Sequence, residues 1–481
     1  MSSVSKISSG RLSAPLERRM PYPVAGIDLN FCRNPACAEY GILPDPFKRP
    51  NGSEPAPPGV PRGAVSGKKH EEYYQCDSCG TTHRLKNNRA VAEEVERLRR
   101  IRSTDPSAPA CRNTDCANHG LSVAAHPGMY QRFGKTKGGD ARWRCKGCGK
   151  TFSVGKPARR HKRSDKNRLV LDMLCNDLSF AKMSRISGLA YRDIYRRVDF
   201  YFERVQGFVA RREDFGRIDF RDAGSRFATD SQALTINWPS RKRRFPVVFQ
   251  HLCTAHARSG FIMEASFQLD PAVSPKEAEA QAAAAAEDHI STAYRDHARI
   301  WTKSEFDAHL VRLAKAAGLA EVEEYGLPAT GSMLRYDIMQ IAHALRLREH
   351  IGEGEVPLIF VMDGDAGLKL AFQAVFQPEI SAGRAHLAVI DFDKAMTNDK
   401  RNSVVAEGRE DLCRSTGLSP AELNLIPSEF YAKIVDAEIA TRLAGTPIGG
   451  WFSDPFSTKS EPNKRVLLLT RRAEAVWKLP A

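Results

Sequence analysis

Eight of the eleven cysteines belong to a motif that occurs twice. Residues 32–42 read CRNPACAEYGI and residues 111–121 read CRNTDCANHGL, so each copy begins with Cys-x4-Cys. Each copy is followed downstream by Cys-x2-Cys-Gly, in residues 76–80 and again in residues 145–149. Pairs of thiolates from two separate turns suit a tetrahedral Zn²⁺ ion, and a glycine after the second pair lets the chain turn back beneath the metal.

The duplicated spacing predicts two tandem zinc ribbons with two structural Zn²⁺ ions. One such motif could arise by chance, whereas two with shared flanking residues are hard to explain otherwise. The predicted ligands are Cys32, Cys37, Cys76 and Cys79 in the first ribbon, and Cys111, Cys116, Cys145 and Cys148 in the second. The other three cysteines are scattered along the chain, which indicates a reducing compartment.

Two aspartates follow patterns that would place them at the same edge of a sheet. Asp230 lies within the strand-like run RFATDSQALTINW, and Asp363 ends the apolar run PLIFVMDGD. Carboxylates that are held close together repel each other unless they share a cation. With Mg²⁺ or Mn²⁺ they could form a two-metal site, in which ions about 3.5–4 Å apart activate the attacking oxygen and stabilise the leaving oxygen of a phosphodiester.

A site of this kind usually includes a third acid, and the sequence offers two candidates. Glu461 stands in STKSEPNKRVLLLT at a predicted helix start, and Glu429 stands on the predicted helix IPSEFYAKIVDAEIATRL. We predict Glu461 as the third ligand, with Glu429 as the alternative. Asp365 competes with Asp363 because the segment MDGD contains both.

The elements that must position these acids are predicted from the hydrophobic pattern after residue 217. Three strand patterns, in RFATDSQALTINW, FPVVFQHLCTAHA and GFIMEASFQLD, predict an antiparallel meander. Residues 272–350 predict a helical insertion, and a buried strand, a helix and another buried strand follow. This is the element order of an RNase H-like α/β domain, in which the first and fourth strands are neighbours.

Residues 161–212 predict an all-α helix-turn-helix. Two helix patterns are followed by a tight turn at Gly188–Leu189 and a recognition helix from Tyr191 to Phe202. The outward face of this helix is predicted to carry Arg192, Arg196 and Arg197, and the inward face Ile194, Tyr195 and Val198. An ordinary helical hairpin is the alternative, and the neighbouring ribbon and basic residues favour DNA binding.

The positive charge of the chain is concentrated in one region. The formal net charge is +15, and eleven Lys or Arg but only one acid lie between Arg142 and Arg168. Such a one-sided run after a ribbon indicates contact with phosphates rather than only a solvated face. The predicted phosphate contacts are Arg159, Arg160, Lys162 and Arg163.

These patterns predict a multidomain chain that is soluble and cytoplasmic. No stretch has the roughly 18 apolar residues that a membrane helix needs, and the N-terminus lacks the apolar core of a signal peptide. The expected parts are a disordered arm over 1–30, the first ribbon with a linker helix over 31–105, the second ribbon over 106–160, the helix-turn-helix over 161–212 and the RNase H-like domain over 213–481.

Several segments resemble DDE transposases of bacterial insertion sequences. RWRCKGCGKTFSV is similar to the ribbon ending of several such enzymes, and TDSQ at 229–232 resembles their first catalytic strand. MDGDAGLKLAFQAVF resembles their second-aspartate segment, which also occurs in Mutator-like enzymes. GGWFSDPFSTKSEPNKRVLLLT is similar to a Trp…Pro…Glu-Pro…Lys…Leu-Thr pattern found in some of them.

The resemblance implies a transposase that binds the terminal inverted repeats of its element and cuts and joins DNA by two-metal phosphoryl transfer. It implies double-stranded DNA as partner, at the element ends and the target, and a homodimer or higher oligomer bound at the nucleoid. Where these relatives continue with a helical region, only RRAEAVWKLPA remains here, so a truncated C-terminus is expected to affect the third acid and activity. The alternatives are a non-catalytic transposase-derived DNA-binding regulator and a nuclease of the same fold.

Overall fold

The fold is seen in a computed structural model. It describes residues 17–48, 57–68, 71–106, 108–153, 163–213, 215, 226–238, 245–257, 259–316, 318, 326–354, 358–363, 365–390, 399, 406, 410, 413–414 and 416–425. The chain divides into two compact units, one made of Met1–Glu96 with Asp219–Ala481 and the other of Arg97–Ile218. The mixed α/β character predicted from the sequence is confirmed.

Strands and helices are numbered in chain order. The strands are β1 (Ala64–Lys68), β2 (Glu71–Gln75), β3 (Thr82–Arg84), β4 (Tyr130–Lys135), β5 (Ala141–Cys145), β6 (Thr151–Ser153), β7 (Arg226–Trp238), β8 (Phe245–His256), β9 (Ile262–Phe267), β10 (Leu269–Asp270), β11 (Ser332–Met333), β12 (Leu358–Asp363) and β13 (Ala385–Ile390). The helices are α1 (Asn88–Ser103), α2 (Lys166–Cys175), α3 (Phe180–Ser187), α4 (Tyr191–Arg212), α5 (Pro275–Ala285), α6 (Lys303–Ala316), α7 (Tyr336–Ile351), α8 (Ala366–Val375), α9 (Gln377–Ser381) and α10 (Pro420–Leu425).

The first unit is built on a five-stranded sheet with the order β13-β12-β7-β8-β9. β7, β8 and β9 form the predicted antiparallel meander, and β12 runs parallel to both β7 and β13. Buried aromatic residues hold the central strands together, with Phe227 stacked on Phe360 at 5.6 Å between ring centroids. Phe360 also packs against Phe372 and Phe376, from α8 and its C-terminal end, so the sheet and α8 share one core.

Helix α7 packs directly on this sheet. Its buried His343 lies with Nε2 2.8 Å from Thr254 Oγ1 of β8 and Nδ1 2.9 Å from Ser266 Oγ of β9. The helical insertion predicted over 272–350 therefore ends in a helix that belongs to the sheet's own core. Within that range, α5 and α6 precede α7.

The first unit also contains the first cysteine motif, within what we call module 1 (residues 17–87). Its sheet has the order β1-β2-β3. The disordered arm predicted over 1–30 is wrong for residues 17–30: Met20 is buried against the cysteines, and Arg19 Nη1 donates to the carbonyl of Gly63 at 2.9 Å. The Ser- and Arg-rich composition does not predict this order, because a segment without hydrophobic periodicity can still be held by a few specific contacts. Residues 1–16 lie outside the described residues.

The second unit holds the second cysteine motif, within module 2 (residues 108–153), and three helices. The sheet of module 2 has the order β4-β5-β6. Helices α2, α3 and α4 pack around Val170, Met183 and Ile194. α3 ends at Gly188 with φ +67, a left-handed conformation that glycine adopts without steric penalty, and α4 begins at Tyr191 as the sequence predicts.

Candidate functional site

The four cysteines of module 1 converge on one point. Sγ atoms of Cys32 and Cys79 lie 3.7 Å apart, as do those of Cys37 and Cys76. A tetrahedral Zn²⁺ ion with bonds of about 2.3 Å would place its sulfurs about 3.8 Å apart. The four ligand atoms all lie within 4.8 Å of one another, so the cluster fits a structural zinc site.

The second cluster, in module 2, has nearly the same dimensions. Sγ atoms of Cys111 and Cys148 lie 3.6 Å apart, and those of Cys116 and Cys145 lie 3.8 Å apart. All four sulfurs again lie within 4.8 Å of one another. The prediction of two four-cysteine clusters with the geometry of structural zinc sites is therefore confirmed.

Glycines shape the turns that bring these sulfurs together. Gly80 and Gly149 have φ of +67 and +71, and their N–H groups donate to the carbonyls of Cys76 and Cys145 at 2.9 and 2.8 Å. A second pair, Gly41 and Gly120, closes the Cys-x4-Cys turns in the same way with φ of +79 and +73. The duplicated glycine at this second position is a sequence signal that the cysteine spacing alone does not include.

One cysteine of each cluster has a lowered pKa, whereas burial raises the pKa of others, among them Cys32 in module 1 and Cys111 in module 2. Burial alone would raise the pKa of Cys79, but hydrogen bonds from the side chain and backbone of Thr81 lower it to about 6. Burial likewise opposes ionisation of Cys145, but hydrogen bonds from the Asn118 amide and the nearby backbone lower its pKa to about 6. Thiolates are the form that binds metal, and the hydrogen bonds at Cys79 and Cys145 favour that form of these two residues.

The predicted catalytic aspartates lie on neighbouring parallel strands. Thr229 of β7 pairs with Met362 of β12, and Asp230 and Asp363 each come one residue later. The side chain of Asp230 is exposed, and its Oδ1 accepts the N–H of Ser231 at 2.8 Å. The strand order therefore brings the two acids to the same level of the sheet, as the sequence predicts.

Two residues of α7 contact residues that lie close in sequence to the two aspartates. Ser231 Oγ lies 2.6 Å from the hydroxyl of Tyr336. Gln340, one turn further along α7, donates its amide to Asp365 Oδ1 at 3.1 Å. The sequence analysis missed Tyr336 and Gln340, and no motif points to them, because α7 reaches β7 only through the tertiary fold.

Asp365 has a structural role as the N-cap of α8. Its Oδ1 accepts the N–H of Leu368 at 2.8 Å, which satisfies one of the unpaired donors at the helix start. This contact explains why the segment MDGD contains a second acid.

A cavity of about 600 Å³ opens beside the same part of the sheet. Its lining includes the polar residues Gln340 and Asp365 and the aromatic residues Tyr336, Trp301 and Phe306. The guanidinium of Arg335 lies 4.0 Å from the centroid of the Trp301 ring and is buried. Polar and aromatic side chains therefore line the same cavity.

The predicted recognition helix presents two of its three arginines. Arg192 and Arg196 are exposed, and Arg196 lies 3.6 Å from Asp193 in a surface ion pair. The outward orientation predicted for Arg197 is wrong, since only 4% of this residue is exposed. Its guanidinium donates to Asn167 Oδ1 at 3.0 Å and to the carbonyls of Asp193 and Arg163 at 2.9 and 3.0 Å.

The inward orientation predicted for Tyr195 is also wrong, because 52% of this residue is exposed. The buried face of α4 follows Ile194 and Arg197, three residues apart, and each residue turns the helix by about 100°. Tyr195 therefore lies at the edge of the buried face of α4, and its ring centroid is 4.8 Å from that of Phe180. Val198 is half-buried.

Several predicted site residues lie outside the described residues, and their placement stays a prediction. Among the basic residues, Arg163 is described; its side chain is exposed and its carbonyl accepts from Arg197. The predicted residues outside the described ranges are Arg159, Arg160, Lys162, Glu429 and Glu461.

None of the helices in the described ranges is long and apolar enough to cross a membrane. No protein-family model matches the chain, and no curated protein matches it in sequence.

Proposed function

We propose that the protein is a DNA transposase that cuts and joins DNA through a pair of carboxylates on β7 and β12. The observation that carries this proposal is the shared level of Asp230 and Asp363 on two parallel, hydrogen-bonded strands. Two acids at one level of neighbouring strands are a geometry that divalent metal ions can bridge. The resemblance of the segments around both aspartates to DDE transposases supports the same interpretation.

The topology of the first unit supports an RNase H-like core. The meander β7-β8-β9 is followed by α7, then β12, α8 and β13, and β12 lies between β7 and β13. This is the order of three strands, helix, strand, helix and strand that the sequence predicts for such a core. The first and fourth strands of the core, β7 and β12, are neighbours.

The residues around Asp230 are suited to holding a cation. Asp230 is exposed, and its Oδ1 accepts the N–H of Ser231 at 2.8 Å. Bound Mg²⁺ or Mn²⁺ would activate the attacking oxygen and stabilise the leaving oxygen of a phosphodiester. The third acid is proposed to be Glu461 or Glu429. Exchanging each for Gln identifies it, because only the true ligand should reproduce the loss seen on exchange of Asp230.

The second unit is proposed to bind double-stranded DNA. Two features support this proposal: α3 and α4 are joined by a short turn at Gly188, as expected of a helix-turn-helix, and Arg192 and Arg196 are exposed in the first turns of α4. The basic run that includes Arg163 would add contacts to phosphates. Assembly as a homodimer or higher oligomer at the element ends, on nucleoid DNA, belongs to the same proposal.

A strand-transfer assay tests this function. The substrate is a duplex that carries the inverted repeats flanking the gene, incubated with the purified protein and Mg²⁺. Cleavage at the ends followed by joining to a second duplex is the expected result. Cleavage without joining would indicate a nuclease of the same fold, and binding without cleavage would indicate a DNA-binding regulator.

A further inference from the structure

The sheet of module 2 has two faces of opposite character. Along β5, Trp143 and Cys145 point to the face that packs around the cysteine cluster, and Arg142 and Arg144 alternate to the other face. Cross-strand pairing carries this division to β6, where Phe152 pairs with Trp143. The outer face consists of Gln131, Phe133, Arg142, Arg144, Thr151 and Ser153, none of which is acidic.

An exposed aromatic ring lies between the two arginines on this outer face. Phe133 is 45% exposed, and the guanidinium carbons of Arg142 and Arg144 lie 5.5 and 5.9 Å from the centroid of its ring. Arg142 Nη2 donates to Thr151 Oγ1 at 2.9 Å, and Arg144 Nε donates to the carbonyl of Gly149 at 3.3 Å. Both guanidiniums are thus held against the sheet while their side chains stay exposed.

Module 1 provides an internal comparison because it repeats the same cysteine framework. Counting back from Cys76, which corresponds to Cys145, Gln75 takes the place of Arg144 and Tyr73 that of Arg142. The hydroxyl of Tyr73 donates to Glu71 Oε2 at 3.0 Å, so an acid belongs to this face. Arg84 of β3 lies opposite Tyr73 on the same face, but its guanidinium forms an ion pair of 3.5 Å with Glu71. The face of module 1 therefore has one arginine paired with an acid, where the outer face of module 2 has two arginines and no acid.

Module 1 also contacts three helices of its own unit, α6, α7 and α8. The hydroxyl of Tyr40 donates to the carbonyl of Gln373 in α8 at 2.5 Å, and Lys86 forms an ion pair of 2.6 Å with Asp337 of α7. Glu71 lies 3.8 Å from Arg312 of α6. These contacts attach module 1 to the helices around the five-stranded sheet.

We propose that the two modules have divided their roles: the outer face of module 2 docks on duplex DNA, whereas module 1 is a structural part of the catalytic unit and makes no contact with DNA. Arg142 and Arg144 bind phosphates, and Phe133 lies against the sugar between them. Guanidinium groups match phosphate oxygens in geometry and charge, and phosphate contacts of this kind position a protein on a duplex. This inference rests on the proposed function, because it takes duplex DNA as the partner.

The salt dependence of DNA binding tests the division. The affinity of the full-length protein for a fluorescent duplex of random sequence is measured over a range of salt concentrations. Arg142→Ala with Arg144→Ala should lower the slope of log affinity against log salt by about 1.8, since each phosphate contact contributes about 0.9. A fourfold rise in salt should then weaken the variant about 12-fold less than the wild type.

Three further variants separate charge from folding. The matched exchange in module 1, Tyr73→Ala with Gln75→Ala, should leave the slope unchanged. Arg142→Lys with Arg144→Lys should keep most of the slope, because the charge is retained. Phe133→Ala should weaken binding without changing the slope. Each protein should still contain two zinc ions, which shows that both modules have folded.

Two results would overturn the division: an unchanged slope for the double Arg→Ala variant, or an equal loss for the module 1 variant. The proposed DNA function is judged separately. If exchange of Arg192 and Arg196 weakens binding while exchange of Arg142 and Arg144 does not, the function stands and this surface is wrong. If the wild type binds no duplex at any salt concentration, both proposals fail.

Discussion

Asp230 and Asp363 stand at the same level of two parallel strands, each one residue beyond the register pair Thr229–Met362. The chain separates them by a meander, an insertion of helices and the core helix α7, so only the order of strands in the sheet brings them together. Thr229 is in turn tied to α7, since its Oγ1 lies 2.9 Å from Thr254 Oγ1, which contacts His343. The position of Asp230 along β7 is therefore held both by the pairing of the strands and by the buried hydrogen bonds that link Thr229, Thr254 and His343.

Loss of either four-cysteine site should remove one of two zinc ions, with consequences in different units. Cys76→Ser with Cys79→Ser should lower the melting temperature of the unit that contains the five-stranded sheet, because module 1 contacts α7 and α8 there. Cys145→Ser with Cys148→Ser should leave that melting transition in place and impair DNA binding. Metal analysis with calorimetry measures both effects. A double variant that still held two zinc ions would contradict the assignment of its cysteines.

Arg197 should matter for stability, and Arg192 and Arg196 for DNA binding. Arg197→Ala removes the hydrogen bonds that its guanidinium donates to the Asn167 side chain and to two carbonyls, which should destabilise the second unit by about 1–3 kcal/mol. Exposed residues such as Arg192 usually change stability by less than about 0.5 kcal/mol on exchange. Urea unfolding and DNA titration of the three alanine variants separate these effects. A stability loss for Arg192→Ala equal to that for Arg197→Ala would contradict the burial pattern of α4.

His343 should make the first unit sensitive to acid. Burial lowers the pKa of His343 from 6.5 to about 4, so the folded chain binds a proton less readily than the unfolded chain. The stability that the neutral imidazole contributes is complete above about pH 6.5 and is lost as the pH falls towards 4, a change of about 3 kcal/mol.

Unfolding of wild type and His343→Gln at neutral pH and near pH 4 measures this contribution. Other groups titrate in both proteins, so the informative quantity is the difference between them. The variant should lose about 3 kcal/mol less on acidification, since glutamine does not titrate. Equal acid sensitivity of the two proteins would show that His343 does not remain neutral in the fold.

The features that the sequence predicts well are those encoded locally. Cysteine spacing determines which sulfurs can meet, and the alternation of apolar residues predicts β7, β8 and β9 together with the buried strand before Asp363. The turn at Gly188 is also visible, because a left-handed residue at a helix end favours glycine.

The features that the sequence does not reveal depend on distant partners. The guanidinium of Arg197 donates to the carbonyl of Arg163 and to the side-chain amide of Asn167, both outside α4, and no pattern along α4 shows these partners. Tyr336 reaches Ser231 across 105 positions of the chain. Residues 17–30 have no periodicity, yet Met20 is buried among the cysteines of module 1. Long polar side chains are especially hard to place, because their stems can be buried while their charged ends find partners.

The central claim is that Asp230 and Asp363 carry metal-dependent chemistry, and the rate of Mg²⁺-dependent cleavage of the element ends by Asp230→Asn tests it most directly. Asp365→Asn is the matched control, because asparagine caps a helix as well as aspartate does and the cap of α8 should persist. Asp230→Asn should fold and bind DNA but cleave on the order of a thousandfold more slowly, equivalent to about 4 kcal/mol of barrier. Asp365→Asn should cleave at close to the wild-type rate. Cleavage and joining by Asp230→Asn at the wild-type rate would contradict the account.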